Sequence, residues 1–314
     1  MSRLSSWMKR AGPVIRSRQA MSDWWHWSRV RLSSAPGVKS APGKNQVVVS
    51  LTTIPERVPR VIYTVESLLR QTLQPDRLIL WLDVTLRNKF LGLLQKQTRR
   101  GLEIRLVEDI GPHGKLIHAL KEFPESRIVT ADDDALYPKF WLAELLAAHE
   151  REPRAITCHR AHRMLTDRTG KLLPYRQWGW LAQGYMGPSL WLFPTGVGGV
   201  LYPPGSLSPE VFNHDVFQRI CPKADDIWLK AMSLLNNVRC QKVRPYSKEW
   251  PLVLGTQQKA LGSQNVDSGQ NDVQLRAVFD HYNLDSRLNI GDFPLLSPGH
   301  VVKISACDRV DSCH

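Results

Sequence analysis

Three consecutive aspartates, Asp132, Asp133 and Asp134 in "TADDDALYP", directly follow the apolar run "RIVT". Adjacent carboxylates repel one another and lose solvation when partly buried, so the cluster calls for a cation supplied from elsewhere. Carboxylates are hard oxygen ligands that suit a divalent ion, and an ion bridging a diphosphate keeps positions open for phosphate oxygens. A second acidic pair, Asp225 and Asp226, opens the run "ADDIWLKAM". A carboxylate within hydrogen-bonding reach of an alcohol takes its proton as the alcohol attacks, which is general-base chemistry. The plainer reading of this pair is a helix start whose charges answer the macrodipole.

The elements that must position these residues follow a simple order. "QVVVSLTT" is a β-branched run typical of a buried strand. Val58, Val61, Ile62, Val65, Leu68 and Leu69 keep helical spacing. "RLILWLD" (77–83) is a second strand, and Leu86, Phe90, Leu93 and Leu94 predict a second helix. "LEIRLV" (102–107) is a third strand, "KLIHALKEF" (115–123) a third helix, and "RIVT" the fourth strand. Pro138 suits the first position of a helix over "PKFWLAELLAAHE". Strand–helix alternation predicts an α/β fold with a mostly parallel sheet, whose ligands bind at the carboxyl ends of the strands. Thr52 and Thr53, Asp83, and Asp132 to Asp134 stand at three such ends.

Beyond about residue 155 the pattern changes. Residues 174–207 are rich in aromatics, Gly and Pro, which predicts loops and short strands. "CPKADDIWLKAMSLLNN" predicts a helix, "VRCQKV" a late strand, and 255–272 a polar loop. Gly196, Gly198 and Gly199 lack the Lys-Ser/Thr ending of a phosphate loop and read as a close backbone approach. Trp178, Trp180, Tyr185 and Trp191 suit either a sugar-stacking platform or a local core. His159 and His162 have metal-pair spacing, but the arginines around them disfavour a cation.

The chain of 314 residues carries a formal charge of +13. Residues 1–44 hold nine Lys or Arg and the single acid Asp23, a net of +8, so the excess belongs largely to an N-terminal arm. Trp24, Trp25 and Trp27 beside Arg29 and Arg31 suit an anionic membrane surface, reached through residues 1–32. No stretch of about 18 apolar residues occurs, so no membrane-spanning helix is expected, and no signal peptide is evident. Five cysteines, an odd number with no zinc-site spacing, fit a reduced, cytoplasmic setting, peripheral on the inner face of the membrane. The predicted organisation is an arm and linker over 1–44, a domain over 45–250 with halves at 45–135 and 136–250, and an extension over 251–314.

Together "VVVSLTTIPER", "SLLRQTLQPDRLILWLD", "TADDDALYP", "FPTGVGGVLYPPGSL" and "ADDIWLKAM" resemble the family 2-like glycosyltransferases of the GT-A fold, in a bacterial surface-polysaccharide (capsule or lipopolysaccharide) branch, over roughly 46–245. The resemblance implies a Rossmann-like nucleotide-binding half, a loop-rich acceptor half, a UDP-sugar donor, a glycan or lipid-linked acceptor, and Mn2+ or Mg2+. It assigns Thr53, Ile54 and Arg57 to the nucleotide, Asp83 to the uracil edge, and Lys115 to the base or diphosphate. Asp132 falls to the ribose and sugar, with Asp133 in the donor-binding set. Asp134 is assigned to the metal together with Asp132, with His300 as a further ligand. Asp226 matches the general base of inverting members, with Asp225 orienting it.

Other classes fit less well. A sugar nucleotidyltransferase wants a Gly-rich loop after the first strand, and "TTIPERVPR" has no glycine. A haloacid-dehalogenase-type phosphatase wants its Asp-x-Asp after the first strand rather than the fourth. A membrane or nucleic-acid binding module would rest on the arm alone, and no nucleic acid is expected.

Overall fold

Val47 to Leu51 are all buried in the first strand, which only a sheet covered on both faces allows. In the computed structural model, residues 34–41, 45–87, 91–167, 169–256 and 269–288 are described. Their elements run β1 (Val47–Thr52), α1 (Val58–Leu68), β2 (Arg77–Asp83), α2 (Gln95–Thr98), β3 (Leu102–Val107), α3 (Gly114–Glu122), β4 (Arg127–Thr130) and α4 (Trp141–His149). There follow β5 (Ile156–Cys158), β6 (Ala161–Arg163), β7 (Leu192–Pro194), β8 (Val200–Tyr202), α5 (His214–Ile220), α6 (Asp225–Leu235), β9 (Cys240–Lys242) and α7 (Gln270–Tyr282).

The main sheet has seven strands in the order β3-β2-β1-β4-β8-β5-β9. All are parallel except β8, which runs against both β4 and β5. Alternate residues of β1 serve opposite layers. Val47, Val49 and Leu51 pack with Val61 and Val65 of α1 and Leu145 of α4. Val48 faces the layer holding Leu116 of α3, Trp228 of α6 and Phe279 of α7. This is the α/β fold that the strand–helix alternation predicts. Because β1 pairs with β2 on one side and β4 on the other, the strand order reverses between β1 and β4, and their carboxyl ends open a crevice there.

Of the local expectations, one helix start is corrected. Between β2 and β3 the described residues form 3-10 turns at Val84–Leu86 and Leu91–Leu94 and the single turn of α2; the second helix expected there runs through 88–90, which lie outside the described residues. Leu86 and Leu94 are buried and Leu93 is 52% exposed; Phe90 lies outside the described residues. Pro138 precedes its helix rather than opening it. Its carbonyl accepts from Trp141 N and from the Gln71 amide, whose oxygen accepts from Leu142 N, so Gln71 sets the helix start from outside. Residues 35–39, in the expected linker, lie against the body: Gly37 N donates to Arg100 O, Arg100 Nε to Ala35 O, and Lys39 pairs with Asp76.

Residues 174–199 form turns and short strands, in keeping with their composition. Residues 270–288 add Leu275, Val278, Phe279 and Leu284 to the core that α6 completes. Among the described residues no helix is long and apolar enough to cross a membrane. The basic arm, His300, Cys307 and Cys313 lie outside the described residues. Cys158, Cys221 and Cys240 are free thiols in the core.

Candidate active site

A cleft of about 760 Å³ opens at the carboxyl ends of β1 and β4. Thr53, Ile54, Arg57, Lys115, Asp132, Asp133, Asp134, Asp225 and Asp226 all line it. Only the fold brings them together, since they come from four separate segments of the chain.

The cations that balance the aspartates are two side chains. Arg57 Nη1 lies 2.7 Å from Asp133 Oδ1 and 3.2 Å from Asp134 Oδ2. Thr53 Oγ1 donates to the other Asp133 oxygen at 2.5 Å, so the loop after β1 grips the loop after β4 across the switch point. Burial pushes the Asp133 carboxyl up, against the opposing pull of Arg57 and Thr53. Lys115, in the first turn of α3, places its Nζ 2.6 Å from Asp132 Oδ1 and 2.9 Å from Asp225 Oδ2. Burial opposes its charge, but Asp132, Asp225 and Asp226 outweigh that and hold the ammonium well above its ordinary range.

Lys115 is positioned by groups beneath it. Ser50, a buried polar residue in β1, donates to the Lys115 carbonyl and accepts from Trp81 Nε1 at 2.8 Å. Asp132 is anchored by its own backbone, whose N–H donates to Tyr137 Oη at 2.8 Å.

Helix α6 begins at Asp225, so both carboxylates of the pair stand in its first turn. Asp226 accepts the Gly196 N–H at 3.0 Å on Oδ1 and 3.1 Å on Oδ2. Burial and then the Asp225 charge push its carboxyl up to about 7, against the pull of Lys115. A carboxylate poised near neutrality and open to a cleft has the affinity a general base needs. Gly196 is the close approach that its glycine-rich setting predicts. A Cβ there would stand 2.8 Å from Lys115 Nζ and 3.2 Å from Asp132 Oδ1 and Asp226 Oδ1.

The carboxylates do not fit a divalent ion as they are arranged. Asp133 is turned into Thr53 and Arg57, Asp134 lies beside the same guanidinium, and Asp132 and Asp225 close on Lys115. Among the described residues no three His, Cys, Asp or Glu side chains converge as a metal shell.

Asp83 is not brought into the cleft. At the end of β2 its carboxylate caps the next turn, accepting from Thr85 N at 2.7 Å and from the Thr85 hydroxyl. His159 and His162 do not pair on a metal: His159 Nε2 donates to Trp141 O, and His162 Nδ1 accepts from Leu181 N. Burial drives the two imidazoles down to about 4 and about 3, so both are neutral. The aromatic set divides. Trp178 and Trp191 are core, whereas Trp180 lines the cleft with Tyr175 and Phe193.

Ser50, Tyr137 and Arg160 carry parts of the site that the sequence reading did not assign. Ser50 was signalled as the only polar residue inside "VVVSL", and Tyr137 by its place in the aspartate motif itself. Nothing local signals Arg160, which lines the cleft and donates from Nη1 to Thr195 Oγ1 at 2.8 Å.

No family model matches the chain, and no curated protein matches it. Solved structures similar to it include S. aureus TarS 1–349, at 11% identity and a TM-score of 0.40, covering 65% of this chain and 59% of that one. The same protein in complex with UDP aligns at 13% identity and a TM-score of 0.43, with the same coverage. The chain thus spans 59% of the length of these matches. At these values the likeness adds nothing to what the sheet order already establishes.

Proposed function

We propose that this chain is a glycosyltransferase that moves a sugar from a UDP-sugar to a hydroxyl of a glycan or lipid-linked acceptor, with inversion. The observation that carries this reading is Asp226, a carboxylate raised to about 7 and held by the Gly196 N–H, in a cleft at the strand-order switch of a parallel sheet. Residues from "VVVSLTTIPER", "TADDDALYP", "FPTGVGGVLYPPGSL" and "ADDIWLKAM", four of the motifs that resemble such enzymes, line the same cleft.

The nucleotide lies toward Thr53, Ile54 and Arg57, and the diphosphate toward Lys115. The acceptor oxygen attacks the anomeric carbon, its proton passes to Asp226, and the bond from that carbon to the phosphate oxygen breaks. UDP leaves with the electron pair, its charge answered by the Lys115 ammonium. A single displacement of this kind needs one base and no enzyme nucleophile, and it inverts the centre. Asp225 and Asp132 both hold the Lys115 ammonium. No step is routed through a divalent ion, because the carboxylates do not fit one.

The test is incubation with a panel of UDP-, GDP- and dTDP-sugars, with and without oligosaccharide acceptors, monitored for nucleoside diphosphate. UDP release from at least one UDP-sugar is expected. Release from none of the panel would remove the assignment.

A further inference from the structure

Trp180 lines the cleft and is 42% exposed, although its neighbours Tyr175, Trp178 and Phe193 are buried. Its ring rests on His162, with centroids 4.3 Å apart, and meets Tyr175 edge-on at 5.8 Å. A tryptophan ring left partly open inside the cleft is an unfilled stacking surface.

The backbone that presents it is strained. Leu181 and Ala182, neither of them glycine, both have left-handed backbone, with φ of 61° and 40°. Such conformations are costly for residues with a Cβ and persist only where the surroundings impose them. Here Lys242, with no exposed surface, donates from Nζ to Leu181 O, Ala182 O and Pro245 O, each at 2.9 Å. Its fourth partner is Ser247 Oγ at 3.1 Å, and His162 Nδ1 accepts the Leu181 N–H at 3.0 Å. A buried lysine and a buried neutral histidine thus hold one turn in a costly shape, immediately after Trp180.

Two further features place this surface on the acceptor side. Phe193 and Thr195 connect it to Gly196 and hence to Asp226. Arg160, between the aromatic wall and Thr195, keeps a buried Nε–H without a hydrogen-bond partner, beside a cleft where a ligand oxygen could accept it.

We propose that Trp180 is the floor of an acceptor subsite for a pyranose ring, stacked through its C–H face, with the Arg160 guanidinium donating to a ring substituent. The assignment rests on the glycosyl-transfer reading for the identity of the cleft. Burial, followed by the nearby Asp226 charge, pushes the Tyr175 hydroxyl up, consistent with the aromatic wall lying close to the base. An acceptor ring on Trp180 brings a hydroxyl toward Asp226, while the donor enters from Thr53 and Arg57.

The test is binding of the full chain, without nucleotide, to an array of pyranose oligosaccharides, beside calorimetric titration with UDP. The parent should bind at least one saccharide class. Trp180→Ala should weaken that binding about tenfold or more, the size expected for a lost aromatic stacking contact, while Trp180→Phe keeps most of it. UDP affinity should be the same in all three chains. Absence of saccharide binding by the parent, or equal binding by Trp180→Ala, overturns the subsite. Saccharide binding through Trp180 by a chain that releases no nucleotide from any donor would sink the transferase reading and leave the subsite standing. Nucleotide release with binding indifferent to Trp180 would do the reverse.

Discussion

Gly196 gives its N–H to both oxygens of Asp226, at 3.0 and 3.1 Å, and leaves no room on its other side for a side chain. One backbone position therefore sets the carboxylate that takes a proton and the distance at which Lys115 and Asp132 stand from it. Gly196→Ala forces a methyl group against the Lys115 ammonium. The tip of a lysine can swing aside, so the melting temperature should change little. Transfer should fall by about 10²-fold, the scale of an ångström-sized misplacement. A variant with parental turnover would show that the close approach is packing alone.

Asp226 also makes a stability prediction. Its folded-state affinity for a proton is raised above that of the unfolded chain, so its contribution to stability is complete below about pH 4 and is lost as pH rises through about 7. Asparagine cannot ionise, can still accept from Gly196 N, and leaves Asp132 and Asp225 to balance Lys115. Asp226→Asn should therefore melt a few degrees above the parent at pH 8, with the gap shrinking toward pH 5. Calorimetry at the two pH values measures it; a gap independent of pH would mean that Asp226 does not titrate in that range.

The Arg57 guanidinium occupies the carboxylates that a divalent ion would use. Arg57→Ala removes the competing cation and should let Mn2+ bind more tightly than it binds the parent, in a titration followed by calorimetry. Equal or weaker Mn2+ binding would show that the guanidinium and the ion do not compete for Asp133 and Asp134.

Ser50→Ala deletes the buried hydroxyl between Trp81 Nε1 and the Lys115 carbonyl and strands the indole N–H. The expected loss of stability is about 1–3 kcal/mol by denaturant titration, the cost of an unsatisfied buried donor. No change would mean that water or a shifted side chain replaces the hydroxyl.

The parallel half of the fold was readable from its apolar runs: "RLILWLD", buried along its centre, and "LEIRLV", an alternating, mostly half-buried edge strand, match β2 and β3 residue for residue. The helix opening at Asp225 was readable too, since its acids stand directly before an apolar periodic run. The helix after Pro138 started late because Gln71, distant in sequence, captures its first turn. Within the site, residue types announced the aspartates but not their partners. That Arg57 serves Asp133 and Lys115 serves Asp132 depends on loops that meet only in space, whereas Asp83 caps Thr85, two residues further along the chain. Trp180 could not be separated from Trp178 by type or spacing, because the difference is made by a strained turn and a lysine some sixty residues later.

The most direct measurement is the pH dependence of single-turnover transfer from the UDP-sugar that the chain accepts, in the parent and in Asp226→Asn. With Asp226 as the base, the parental rate rises with pH through about 7 and then levels, as the carboxylate loses its proton. In Asp226→Asn the rate should be roughly 10²–10⁴-fold lower and lack that rise, with UDP-sugar affinity little changed. A variant that keeps both the parental rate and the parental pH profile would contradict the assignment of Asp226 and, with it, the mechanism built on this cleft.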